Sequence, residues 1–138
     1  AGEDPVVSLA ATAMDTFDAL SQLAQHDDGL LFAGLQVMFS DPSMRRIVLE
    51  RRIGLEDAVW ATLTSRGAST EDLGLRVAVT TVIDLSYFAV QRWVESATQE
   101  PLASILARCL ILAPDPARLA TGVTAWRRGR PSPDGARR

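Results

Sequence analysis

One carboxylate, Asp84, interrupts an apolar stretch that runs from Thr80 to Trp93 and reads TTVIDLSYFAVQRW. A charge in such a stretch lies at a solvent-exposed edge, forms half of a structural ion pair, or is the polar group of a binding pocket. Because an unpaired buried charge is costly, the last two interpretations require a partner. Arg51 projects from an otherwise apolar stripe of an earlier predicted helix, and we predict that it neighbours Asp84. The pair would either lock two helices together or lose one member to a ligand.

The residues that usually carry catalysis or bind metals are scarce. His26 is the only histidine and lies at a predicted helix end, and Cys109 is the only cysteine and lies on an apolar stripe. A zinc site needs about three or four ligands. No serine lies in a nucleophile motif, and no glycine-rich loop is suited to phosphate. We therefore predict no enzyme activity, no metal and no cofactor.

The face of the predicted helix 70–97 around Asp84 is mixed polar and aromatic, and earlier helices offer it apolar side chains. A mainly apolar lining with a few polar groups is typical of a small-molecule pocket. The predicted ligand-binding residues are Met14, Phe17, Phe32, Met38, Arg51, Thr80, Asp84, Tyr87 and Phe88. Two other interpretations stay open, because methionines and aromatic residues are ordinary core residues and the polar positions also fit a solvent-facing stripe.

Helical spacing positions all of these residues. Apolar residues recur at steps of three and four, which indicates amphipathic helices. Asp-Pro pairs at residues 4–5 and 41–42 supply a capping carboxylate and a proline for the first turn. The predicted helices cover 5–26, 30–39, 42–66, 70–97 and 101–113, with a weaker last one from residue 115. The expected fold class is all-α, a bundle of about five to six helices.

The predicted helices 70–97 and 101–113 carry more apolar surface than one neighbour can cover. We predict that they pack against their symmetry copies and form the four-helix interface of a homodimer. The predicted interface residues are Leu75, Val79, Val82, Ala89, Trp93, Leu102, Ile105, Leu106 and Cys109. The alternative is that both helices are central in a monomer.

Charge is distributed unevenly along the 138 residues, whose formal net charge is −3. Residues 1–41 contain seven acidic residues and no arginine, whereas residues 117–138 contain six arginines and one aspartate. A net-negative body binds nucleic-acid phosphates poorly. We predict a helical domain over 1–114, and over 115–138 a weak helix with a basic tail that is disordered or touches an acidic partner.

No segment of the sequence suggests export or insertion into a membrane. The first residues lack a signal-peptide pattern, and no unbroken apolar run reaches the ~18 residues of a membrane span. A single cysteine excludes an internal disulfide, which fits a reducing compartment. The expected location is cytoplasmic, with no membrane partner.

The order of these elements resembles the C-terminal ligand-binding and dimerisation domain of TetR-family transcriptional regulators. The resemblance spans roughly residues 5–113. It is carried by DPSMRRIVLERR, by DLGLRVAVTTVIDLSYFAVQRW, which is similar to the penultimate long helix of the family, and by the closing PLASILARCLILA.

The resemblance implies a ligand-responsive repressor that acts as a homodimer. Its effector would be small and hydrophobic or amphipathic, with one polar or cationic group facing Asp84. Effector binding would reorient helix-turn-helix heads, a domain that is expected to be absent from this chain, and DNA would be contacted only through that domain. The alternative is a helical homodimerisation or interaction module with no small-molecule ligand.

Overall fold

Six helices account for most of the described chain. The computed structural model describes residues 4–96, 100–114 and 116–128, with the side chains of 116–118 outside that description. The helices are α1 (Pro5–His26), α2 (Leu30–Ser40), α3 (Pro42–Ser65), α4 (Leu73–Ser96), α5 (Leu102–Ile111) and α6 (Pro116–Arg128). These ranges contain no strand. The predicted all-α bundle is confirmed.

Two aspartates explain where α1 and α3 begin. The carboxylate of Asp4 accepts a hydrogen bond from the backbone N–H of Val6 at 2.9 Å. The carboxylate of Asp41 accepts one from the backbone N–H of Ser43 at 2.8 Å. In both helices a proline occupies the first turn, where its missing N–H leaves no intrahelical bond unmade.

The start of α4 lies three residues after the predicted position, at Leu73. Asp72 accepts a hydrogen bond from the backbone N–H of Leu75 at 2.9 Å, and this bond caps the first turn of α4. The preceding connection turns at Gly67, whose φ of 103° suits glycine far better than a residue with a Cβ.

The core lies where α1, α4 and α5 meet. α5 packs against both α1 and α4, and it contributes Leu102 and Leu106, which are almost completely buried. Phe32 of α2 meets the ring of Trp93 edge to face, with the ring centroids 5.0 Å apart. α3 packs against α2 and α4. The first four helices therefore border a common region beside this core.

Most residues assigned to a dimer interface lie inside the single chain. The buried ones are Val79, Val82, Ala89, Trp93, Leu102, Ile105 and Leu106. Leu75 and Cys109 are partly exposed. α1 packs against both α4 and α5, in the place that was predicted for a symmetry copy. These side chains are buried within one chain, as the monomer alternative predicts. A homodimer stays a prediction, and its interface would be formed by other side chains.

Within the described residues, α6 has no extensive packing against the other five helices. Its apolar side chains Leu119 and Val123 are about half exposed. The weak terminal helix predicted from residue 115 is confirmed at Pro116–Arg128. The predicted disordered tail falls on 129–138, which lie outside the described residues, and the domain boundary at 114 stays a prediction.

By length and composition alone, α4 is apolar enough to cross a membrane, with a mean hydropathy of 1.5 over an 18-residue window. The sequence-based expectation missed this property because it considered only unbroken apolar runs. The central helix of a soluble bundle has the same composition. α4 contacts α1, α2, α3 and α5 and therefore has the central position among the described helices.

Candidate ligand-binding cavity

A mainly apolar cavity lies between α1, α2, α3 and α4. Its volume is about 420 Å³, within the ~300–1,000 Å³ that is typical of small-molecule sites. Each helix contributes residues about three or four apart, so one stripe of each helix faces the cavity. The lining residues are Leu9, Thr12, Ala13, Thr16 and Phe17 of α1; Leu35, Met38 and Phe39 of α2; Val48, Arg51, Leu55 and Val59 of α3; and Val82, Ile83, Ser86, Tyr87 and Val90 of α4.

The hydroxyl groups of the cavity wall differ in their hydrogen bonding. Thr12 donates to the backbone carbonyl of Ser8 at 2.9 Å. Ser86 donates to the backbone carbonyl of Val82 at 2.8 Å. The hydroxyl of Tyr87 forms no hydrogen bond with the described residues. The donors of the first two groups are already used, whereas Tyr87 can donate to a ligand.

Among the described residues that line this cavity, Arg51 alone carries a formal charge. It lies on α3 between Val48 and Leu55, about one turn from each. Arg51 and Tyr87 also border an open depression on the outer side of α3, together with Glu50. Both residues therefore stand at the mouth of the cavity. Arg51 makes no ion pair or hydrogen bond within the described ranges.

Asp84 is paired with Arg52, and the prediction that it pairs with Arg51 is wrong. Nη1 of Arg52 lies 2.5 Å from Oδ1 of Asp84, and the two side chains are 33% and 43% exposed. Successive residues of a helix point ~100° apart. Arg51 consequently faces the cavity, while Arg52 faces α4. Asp84 does not line the cavity but borders an adjoining outer depression, which shares Met38, Phe39, Val48 and Tyr87 with the cavity.

A polar seam joins α3 to α4 and is formed by Arg52, Glu56, Arg76, Thr80 and Asp84. Thr80 donates its hydroxyl hydrogen to Glu56 at 2.7 Å, and Nη2 of Arg76 lies 3.5 Å from the same carboxylate. On each helix the members are four residues apart, so they follow one edge of the helix. The seam links two helices that border the cavity, and none of its five members lines the cavity itself.

The nine predicted ligand-binding residues separate into four groups. Those that line the cavity are Phe17, Met38, Arg51 and Tyr87. Those that pack against the core are Met14 and Phe32, while Thr80 and Asp84 lie in the polar seam. Phe88 lies on the outer depression around Asp84 and is half exposed.

Several lining residues were missed although their pattern is visible in the sequence. Val48, Leu55 and Val59 follow one apolar stripe with Arg51, and this stripe was interpreted as packing surface. Ser86 has no sequence signal that separates it from other helical serines. Its position next to Tyr87 on the inner side of α4 becomes apparent only once the rotation of that helix is known.

Comparison with protein-family models, with curated proteins and with solved structures finds no match for this chain. The resemblance to TetR-family regulators therefore stays a prediction, which rests on the order and pattern of the helices.

The groups that line the cavity are suited to binding. The described part of the wall carries no carboxylate, imidazole or thiol. Within the described residues, no cluster of three or more histidine, cysteine, aspartate or glutamate side chains could hold a metal ion. The absence of enzyme activity stays a prediction.

A second groove, of about 580 Å³, lies between the start of α1 and the end of α3. Its borders include Ser8, Thr62 and Arg66, and it is more open to solvent than the cavity. Removal of apolar surface from water is the main source of affinity for an apolar ligand. The cavity among four helices is therefore the better candidate site.

Proposed function

We propose that this chain is the effector-sensing and dimerisation part of a TetR-like transcriptional regulator that acts in the cytoplasm. The observation that carries this proposal is the cavity of about 420 Å³ among α1–α4, with its almost wholly apolar lining. Part of this apolar lining faces water, and removal of apolar surface from water favours binding. A small apolar or amphipathic ligand that covers this surface stabilises the arrangement of helices that it fits.

Regulation follows from the fact that one ligand would touch four helices at once. Because α1, α2, α3 and α4 all contribute to the wall, a bound ligand favours one of their relative arrangements. In the proposed regulator, a helix-turn-helix domain precedes α1 in the sequence and moves when α1 is displaced. The effector controls DNA binding only if it has different affinities for the two arrangements.

A thermal-shift experiment with a matched pair of variants tests the ligand site. Ser86→Leu adds side-chain volume inside the cavity, whereas Ser104→Leu makes the same change at an exposed position of α5. We expect apolar and amphipathic compounds to raise the Tm of the wild type and of Ser104→Leu, and to shift Ser86→Leu much less.

A folded chain whose Tm responds to no compound would contradict the sensing proposal. It would favour the second candidate, a helical homodimerisation or interaction module without a ligand. The exposed apolar side chains of α6 are the observation that supports this alternative.

The homodimer in either proposal needs a surface other than the buried stripes of α4 and α5. Exposed apolar side chains near the C-terminal end supply one: Ile111, Leu112, Leu119 and Val123. We propose a second copy of this chain as the occupant. Arg127 and Arg128 of α6 complement Asp15 and Asp18 of α1, and a two-fold axis would place α6 of each copy beside α1 of the other.

A further inference from the structure

The charge at the cavity mouth is positive, which reverses the sign expected for the ligand. The sequence places a carboxylate, Asp84, in the predicted pocket and so favours a cationic ligand group. In the structure Asp84 lies outside the cavity and is neutralised by Arg52 at 2.5 Å. The charged side chain that borders the cavity is Arg51.

We propose that the ligand of this cavity is an amphipathic anion, with an apolar body inside and a carboxylate or similar acidic group bound by Arg51. This inference rests on the proposed function, since it names the chemical class of the effector that the cavity binds. The neighbouring arginines of α3 are already paired, Arg46 with Glu50 at 3.0 Å and Arg52 with Asp84. Arg51 has no carboxylate partner in the described chain.

The chemistry of the guanidinium group favours an anion at this place. Its planar N–H groups match the two oxygens of a carboxylate, and such charge-assisted hydrogen bonds are among the stronger ones in proteins. The cavity side of Arg51 is apolar, since Val48 and Leu55 flank it along α3. Arg51 is exposed before binding, so the apolar body of a ligand that displaces water beside it would strengthen the attraction.

Tyr87 supplies a second donor at the same mouth. Like Arg51, it borders both the cavity and the open depression that contains Glu50. Its hydroxyl forms no hydrogen bond in the described part of the chain. Glu50, the acidic residue among the described residues that border that depression, already accepts a hydrogen bond from Arg46. An anionic head group would thus meet two donors, while the rest of the cavity wall accepts its apolar body.

The test compares three probes with the same decyl chain and different head groups: decanoate, decan-1-ol and decylamine. Binding to the full chain is measured by titration calorimetry below the critical micelle concentrations. We expect decanoate to bind more tightly than decan-1-ol, and decylamine to bind most weakly. Arg51→Gln should weaken decanoate at least about tenfold and leave decan-1-ol nearly unchanged.

Two controls separate this inference from the proposed function. Arg45→Gln removes an exposed arginine of the same helix that borders the outer depression around Asp84, and it should leave decanoate binding unchanged. Ser86→Leu should weaken all three probes, which locates them in the cavity. Equal affinity for decanoate and decan-1-ol, or equal weakening of both by Arg51→Gln, overturns the inference alone. Absence of binding by all three probes overturns both proposals.

Discussion

The ion pair between Arg52 and Asp84 joins two helices at a partly exposed position. Its 2.5 Å separation indicates a direct charge-assisted bond, but side-chain exposures of 33% and 43% let water screen it. We expect Arg52→Gln and Asp84→Asn each to lower the free energy of unfolding by about 1 kcal/mol. The double variant should lose less unfolding free energy than the sum of the two single losses. Urea unfolding should give a coupling free energy of about 0.5–1 kcal/mol.

The matched control is a second double-mutant cycle, in which Arg51 is substituted in place of Arg52. Arg51→Gln combined with Asp84→Asn should show additive losses, because Arg51 faces the cavity and does not touch Asp84. Coupling in the Arg51 cycle and none in the Arg52 cycle would contradict the observed geometry.

The capping carboxylate of Asp41 gives the stability of α3 a dependence on pH. The hydroxyl of Ser43, followed by its backbone N–H, donates to this carboxylate and holds its pKa below the ordinary 3.8. A carboxyl group with a lowered folded-state pKa stabilises the fold above its unfolded-state pKa, and this contribution is lost as the pH falls through the folded-state pKa. Asp41→Ala should therefore lower the Tm at neutral pH, with a difference from the wild type that shrinks in acid.

Circular-dichroism melting at several pH values measures this difference. Asp15→Ala, at an exposed position in the middle of α1, is the control and should have little effect at any pH. An effect of Asp41→Ala that is as large in strong acid as at neutral pH would show that the ionised cap contributes nothing.

At the scale of whole helices, the starts of α1 and α3 were predictable and the packing partners were not. Asp4 and Asp41 act on N–H groups two residues away, so their effect on α1 and α3 can be recognised in the sequence. The partner of α5 depends on how all the helices are rotated and placed. The stripe containing Leu102 and Leu106 was assigned to a symmetry copy, whereas α1 covers it within one chain.

The variant Leu106→Ala tests whether α5 belongs to the core of the monomer. Leu106 is fully buried, and its truncation should cost about 2–5 kcal/mol of unfolding free energy. Because the side chain is covered within one chain, this loss should be the same at low and high protein concentration in chemical denaturation. A loss that depends on concentration would place Leu106 in an interface between chains.

The control for this experiment lies at the end of the same helix. Ile111 is 82% exposed, so Ile111→Ala should leave the unfolding free energy of the isolated chain nearly unchanged. A comparable loss in both variants would indicate that the substitutions act on the helicity of α5 and not on the core.

For the whole molecule, a cavity between the helices could be predicted, but the charge that borders it could not. Phe17, Met38, Arg51 and Tyr87 come from four different helices and line one cavity. A rotation of ~100° between adjacent residues decides which arginine of α3 faces inward. The sign of the charge that borders the cavity depends on that rotation, because Arg52 faces α4 and pairs with Asp84 outside the cavity.

The proposed homodimer is tested at the scale of the assembly. Val123 is half exposed on α6, and a carboxylate at this position would oppose the acidic residues of 1–41 in the partner copy. Val123→Glu should therefore shift the chain from dimer to monomer in size-exclusion chromatography with light scattering at micromolar concentration. Val37→Glu makes the same change at an exposed position of α2 and should remain dimeric. A monomeric wild type, or equal behaviour of the two variants, would exclude α6 as the dimer surface.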